Sequence, residues 1–150
     1  MRSEKETPPA AMPLEAGRIC VYLAPVMTWI FRLCLPPEWA AFRESGRFAG
    51  GPDDVRDGFL HFSAADQIAE TARRHYPASG DLILLAVDSG PLGAALAWEE
   101  SRGGVRFPHL HAELPLAAVA AWRRIGAPRD FAFLADFTQP TEASGWISTR

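Results

Sequence analysis

Residues 57 to 63 read Asp-Gly-Phe-Leu-His-Phe-Ser, and an extended backbone there puts Phe59, His61 and Ser63 on one side and Leu60 and Phe62 on the other. Histidine is the side chain whose ordinary charge change falls near neutral pH, which makes it a proton carrier, and a hydroxyl beside it offers a donor and an acceptor. The positions after Ser63 take helical spacing, so the strand runs into a helix start. Unpaired N–H groups and partial positive charge favour an anionic ligand at such a junction. The same residues also have a purely structural account. Ser63 followed by Asp66 matches a helix capping box, and a half-buried histidine bonded to a carbonyl needs no ligand.

Other residues extend the chemistry. His109, His111 and Glu113 stand at i, i+2 and i+4, so a strand would carry all three on one face, a geometry that a zinc or non-haem iron site could use. With His61 they define one alternative, a metal-dependent hydrolase. Arg32 interrupts an apolar segment on the face shared by Ile30 and Cys34, and a cation there demands a partner. Arg102 lies in a Gly-rich turn from which its fork can reach a phosphate or carboxylate. His75 closes a helix, where the dipole accounts for it. Trp39 and Trp98 are expected in the core.

The elements that must position these residues are legible in outline. Residues 28 to 35 form an aromatic and branched first strand closed by Pro36-Pro37, and a helix of about eight residues follows, with Gly46 as its stop. Residues 48 to 57, with three acidic residues and Gly50-Gly51, read as a polar loop. Ala65, Ile68, Ala69, Ala72 and Tyr76 mark an amphipathic helix ending before Pro77, and Leu82 to Val87 is an unbroken apolar run expected at the centre of a sheet. Residues 97 to 99 are a weaker strand, 105 to 113 alternate imperfectly past Pro108, and 121 to 125 form a last strand. Strands and helices mix without a βαβ repeat, which predicts an α+β domain with a largely antiparallel or mixed sheet.

The chain has 150 residues, 48% of them hydrophobic and 22% charged, enough for one domain with a real core. A net charge of -3 gives no broad reason to expect DNA or an anionic membrane as partner. The apolar run from Ile19 to Phe31 contains Pro25 and is shorter than the roughly 20 residues a bilayer requires, so no membrane partner is expected. Cys20 and Cys34 match neither a zinc pair nor a redox motif and suggest a reducing compartment, the cytoplasm. Residues 1 to 26 have the composition of a disordered arm, with Met27 an alternative start, and residues 126 to 150 are expected to pack partly on the domain.

Asp-Gly-Phe-Leu-His-Phe-Ser at 57 to 63, Trp-Glu-Glu-Ser-Arg-Gly-Gly at 98 to 104 and Phe-Pro-His-Leu at 107 to 110, in this order and spacing, resemble the bacterial DUF952 family across residues 28 to 125. The resemblance implies an ADP-ribosyltransferase-like fold, α+β with a split, largely antiparallel sheet and short flanking helices. It further implies NAD or another nucleotide-like phosphate ligand, with Arg32, Ser63, Arg102 and His109 binding it, His61 as acid/base and Glu113 as the late acid. Relatives of that fold that act on phosphorylated RNA ends use Arg and His and lack the late acid, which makes an RNA end a variant partner. A non-catalytic binding module remains the other alternative.

Overall fold

Residues 28–78 and 80–149 are described by the computed structural model, apart from the side chain of Arg102. The N-terminal arm, the Met27 start and Cys20 lie outside the described residues. Strand β1 (Trp29–Cys34) leads into helix α1 (Pro36–Ser45), where Pro36 and Pro37 supply a first turn that needs no amide donors. Glu38 accepts the Leu35 N–H at 2.8 Å, and Gly46 closes the helix with φ +82°. A short β2 (Arg47–Phe48) follows. The expected polar loop then contains a helix, α2 (Pro52–Asp57), which Gly51 introduces and Pro52 opens. Asp53 and Asp54 occupy the helix's first turn, which suits its positive end.

Strand β3 (Leu60–His61) precedes a 3-10 turn and helix α3 (Ile68–His75). The capping at this junction differs from the expected Ser63–Asp66 box: Gln67 Oε1 accepts the Ala64 N–H at 2.8 Å, and the Ser63 hydroxyl turns to Thr71 Oγ1 at 2.9 Å. The chain continues through β4 (Leu82–Asp88), β5 (Leu96–Glu100), β6 (Arg106–Leu110), β7 (Leu114–Pro115), β8 (Val119–Ile125) and β9 (Ile147–Ser148).

The protein is α+β, and among the described residues every strand pairing is antiparallel. One sheet has the order β1-β4-β8-β9, a second β3-β6-β5, and β2 pairs with β7. The four-stranded and three-stranded sheets meet where Phe31 and Ser63 exchange N–H···O bonds of 2.8 and 2.9 Å. Side-chain alternation divides the core. Ile30, Cys34, Ile83, Leu85 and Val87 face a layer with Trp39, Phe42, Leu60 and Phe62. Phe31, Leu33, Leu82, Leu84 and Ala86 face α3 and the C-terminal Leu134 and Trp146. Burial on both faces explains the unbroken apolar run of β4. Trp39 is buried as expected, whereas Trp98 is 39% exposed because β5 is the edge of its sheet. Among the described residues no helix is long and apolar enough to cross a membrane.

Candidate functional site

Helix α2 delivers the residue on which the site is built. Asp54 is 3% exposed, and its carboxylate gathers donors from three segments. Oδ1 accepts from Arg32 Nη1 at 2.8 Å and from the His61 backbone N–H at 2.9 Å, and it lies 2.8 Å from His61 Nδ1. Oδ2 accepts from Arg32 Nη2 at 2.7 Å and from the Gly51 N–H at 2.7 Å. The approach is so close that Gly50, at φ +107°, has no room for a Cβ, which would stand 2.5 Å from Asp54 Cβ. Burial on its own would raise the Asp54 carboxyl, but hydrogen bonds from His61 and Arg32 and the guanidinium charge outweigh it and hold the group well below the usual carboxylate range. Asp54 is therefore an anion buried against a buried cation.

Arg32 completes the pairing. Its Nη1 also donates to the His61 carbonyl at 3.0 Å and its Nε to the Leu33 carbonyl at 3.2 Å. Burial opposes its charge, and the Asp54 bond and field overcome that opposition and raise the guanidinium further above its ordinary value. The partner that an Arg in an apolar strand demands is thus Asp54, and the fork expected to hold a ligand phosphate is already engaged.

Two histidines face each other beyond this pair. Asp54 can only accept, so it fixes a proton on His61 Nδ1, and the ring's Nε2 lies 2.9 Å from Asp57 Oδ2. Hydrogen bonds at both nitrogens require the imidazolium; in the neutral ring, Nδ1–H stays with Asp54 and Nε2 becomes an acceptor. On the opposite strand His109, 4% exposed, sets Nδ1 at 2.8 Å from Glu99 Oε1, and His111 Nε2 reaches the same oxygen at 3.1 Å. The His109 and His111 hydrogen bonds lower the Glu99 carboxyl. The register of β3 on β6 puts His61 directly opposite His109, ring centroids 5.5 Å apart. Phe59 stacks on His109 at 4.1 Å and touches both other imidazoles.

His61 and His109 line a cavity of about 210 Å³ whose walls include Ser63, Thr71, Tyr76 and Phe107, with Arg56 and Asp57 among its charged lining. Burial pushes the Tyr76 phenol up to about 12, and its hydroxyl donates to the Leu33 carbonyl at 3.2 Å, so it serves the cavity as a neutral wall. Arg32, His61, Ser63 and His109 are brought together as the sequence suggested. Glu113 is not: β6 ends at Leu110, the alternation stops there, and Glu113 pairs with Arg47 at 3.1 Å on the surface. The same break removes Glu113 from the face of His109 and His111, and among the described residues no group of three His, Cys, Asp or Glu side chains is arranged to hold a metal ion. The side chain of Arg102 lies outside the described residues.

Sequence reasoning missed Asp54, Asp57 and Glu99. For Asp54 the usable signal was the unpaired Arg32 together with Gly51-Pro52, a helix start inside the apparent loop. For Glu99 it was the alternation of β5, which sets it opposite Phe107 and beside His109.

Comparisons with known proteins agree with this architecture. The family described as "Protein of unknown function (DUF952)" matches residues 33–122. The crystal structure of protein CC0527 from Caulobacter crescentus is similar with a TM-score of 0.62 at 42% identity, covering 67% of this chain and 90% of that one. Its solution structure gives a TM-score of 0.58 at 42% identity over 67% and 89% of the two chains. No curated protein matches.

Proposed function

This chain belongs to the DUF952 family, proteins of unknown function, and from that premise we propose that its cleft binds a nucleotide-like phosphate ligand and transfers a group from it by acid–base chemistry at His61 and His109. The observation that carries the reading is the pair of carboxylate-backed imidazoles, centroids 5.5 Å apart, at one cavity. A carboxylate behind an imidazole fixes its tautomer and stabilises the imidazolium that forms in turnover. An acceptor hydroxyl attacking phosphorus gives its proton to one imidazole as the new P–O bond forms. The other imidazole, charged at the outset, gives its proton to the departing oxygen as the old P–O bond breaks. Each transfer contributes about 10²–10⁴ in rate.

The split antiparallel sheet supports an ADP-ribosyltransferase-like reading of the fold, and that reading makes NAD the first ligand to test. Transfer of ADP-ribose calls for a late acid, and Glu113 is paired with Arg47 on the surface. The imidazole pair therefore favours transfer at phosphorus, as on an RNA end, over transfer of ADP-ribose.

The test is thermal stability of the wild type and His61→Ala with NAD, ADP-ribose or a 2′-phosphorylated nucleotide. A ligand at about 100 times its Kd stabilises the native state by about 2.7 kcal/mol. A shift in the wild type that His61→Ala loses is the expected result. No shift with any of the three sinks the proposal.

A further inference from the structure

Asp57 has an arrangement that helix stability does not explain. It is the last residue of α2, where a negative charge opposes the helix dipole. Its Oδ1 accepts from Arg56 Nε at 3.0 Å, and its Oδ2 lies 2.9 Å from His61 Nε2 and 3.4 Å from Arg56 Nη2. Arg56 Nη1 in turn donates to Asp53 Oδ1 at 3.2 Å. One carboxylate thus bridges a guanidinium and an imidazole, and Arg56, Asp57 and His61 all line the cavity. Its hydrogen bond from Arg56, ahead of the nearby charges, holds Asp57 below the usual carboxylate range, so the bridge is an anion. Orienting His61 does not require it, because buried Asp54 already holds Nδ1. With a side chain 32% exposed, Asp57 has room to turn away.

We propose that the Asp57 carboxylate occupies the position of the ligand's phosphate, so that the cleft selects a phosphomonoester able to displace it from His61 and Arg56. The inference rests on the phosphate-ligand reading above and names the substrate class for that site. A phosphomonoester carries about 1.5 to 2 negative charges and three acceptor oxygens, against one charge and two oxygens on Asp57, so it can satisfy the imidazole and the guanidinium together. A phosphodiester has one charge per phosphorus and no such advantage. Size agrees with this choice. The cavity of about 210 Å³ is smaller than the ~300–1,000 Å³ of sites that enclose drug-sized molecules, so it encloses the phosphate end of a nucleotide and leaves the remainder of the ligand outside.

Calorimetric titration of the wild type, Asp57→Asn and His61→Ala with AMP, inorganic phosphate, adenosine and NAD tests the proposal, with Asp57→Ser as a second variant should Asp57→Asn melt below the wild type. Removing the resident charge should tighten AMP and phosphate about tenfold, slightly more than one unit-charge contact at about 4 Å is worth in water, because Asp57 is part-exposed and solvent screens its charge. Adenosine should be unchanged, and His61→Ala should lose the phosphate-bearing ligands. Unchanged or weaker AMP binding by both Asp57 variants, with the wild type binding AMP or NAD, overturns this inference and leaves the phosphate-ligand reading standing. An equal gain for adenosine also overturns it, because Asp57 would then be only a steric plug. Binding of no phosphate-bearing ligand by either protein overturns both.

Discussion

Asp54→Asn keeps the shape of the side chain and removes its charge. Oδ1 now faces Arg32 Nη1, the His61 N–H and His61 Nδ1, while Oδ2 faces Arg32 Nη2 and the Gly51 N–H. An amide has one oxygen, so whichever way it turns its NH₂ meets donors, and Arg32 stays buried without a counter-charge. Breaking one side of a buried ion pair costs about 3–5 kcal/mol, a large part of the ~5–15 kcal/mol that holds a domain folded. At about 2–4 °C per kcal/mol for a chain of this length, the Tm falls by about 6–20 °C. Acid gives a second signature. The folded-state carboxyl is depressed, so its stabilisation is complete above the unfolded value of about 3.9 and drains away as pH falls below it. The difference between wild type and variant should therefore be full at neutral pH, begin to shrink below about pH 5 and go on shrinking through about pH 3 toward the depressed folded value. Glu99 and Asp57, also depressed, are common to both proteins and cancel in the difference. Urea unfolding followed by fluorescence of buried Trp39 and Trp146 measures both effects. A variant within about 1 kcal/mol of the wild type at neutral pH, well short of a broken buried pair, refutes the reasoning. So does a gap that is no smaller at about pH 3 than at neutral pH.

Other substitutions probe separate parts of the site. Gly50→Ala forces a Cβ to within 2.5 Å of Asp54 Cβ and 2.8 Å of Leu60 Cδ2 at φ +107°, so backbone strain alone costs about 1–3 kcal/mol and calorimetry should find a clearly lower Tm. Glu99→Gln should leave the Tm near the wild-type value yet lower group-transfer turnover toward the ~10²–10⁴-fold contribution of one acid–base residue, and a lowered Tm with unchanged turnover would contradict its role. Ser63→Ala removes the bond to Thr71 Oγ1 and should cost about 1 kcal/mol in denaturant unfolding. Burial pushes the Cys34 thiol up to about 12, so in a Cys20→Ser background Ellman's reagent should label it only after unfolding.

The parts of the fold that read clearly from sequence are those where one physical signal dominates. The apolar run of β4 and the spacing of α3 each have such a signal, and both elements stand where expected. Arg32 announced a buried partner, because a cation on an apolar strand cannot stay unpaired. Which acid it chose was invisible, since Asp54 lies 22 residues away among other acids in a stretch whose glycines masked a helix start. His61 and His109 were expected at one cleft, but their direct opposition across two strands was not visible, because only the β3–β6 register creates it. Glu113 was misplaced because strict alternation was carried beyond the end of its strand, where the backbone turns toward β7.

The exchange between Phe31 and Ser63 has a mechanical meaning. Among the described residues it is the one rung joining the two larger sheets, and Arg32 and His61 lie within two residues of it on opposite sides. His61, His109 and Glu99 are carried by one bonded sheet, β3-β6-β5, while Arg32 belongs to the other through the pairing of β1 with β4. Asp54, bonded to both Arg32 and His61, ties the two sheets together beside that rung. The cleft therefore sits at a seam between two sheets that is pinned by the Phe31–Ser63 rung, by one carboxylate and by the core that Leu60 and Phe62 share with Ile30 and Ile83, and deuterium uptake at the Phe31 and Ser63 amides would read how firmly that seam is closed.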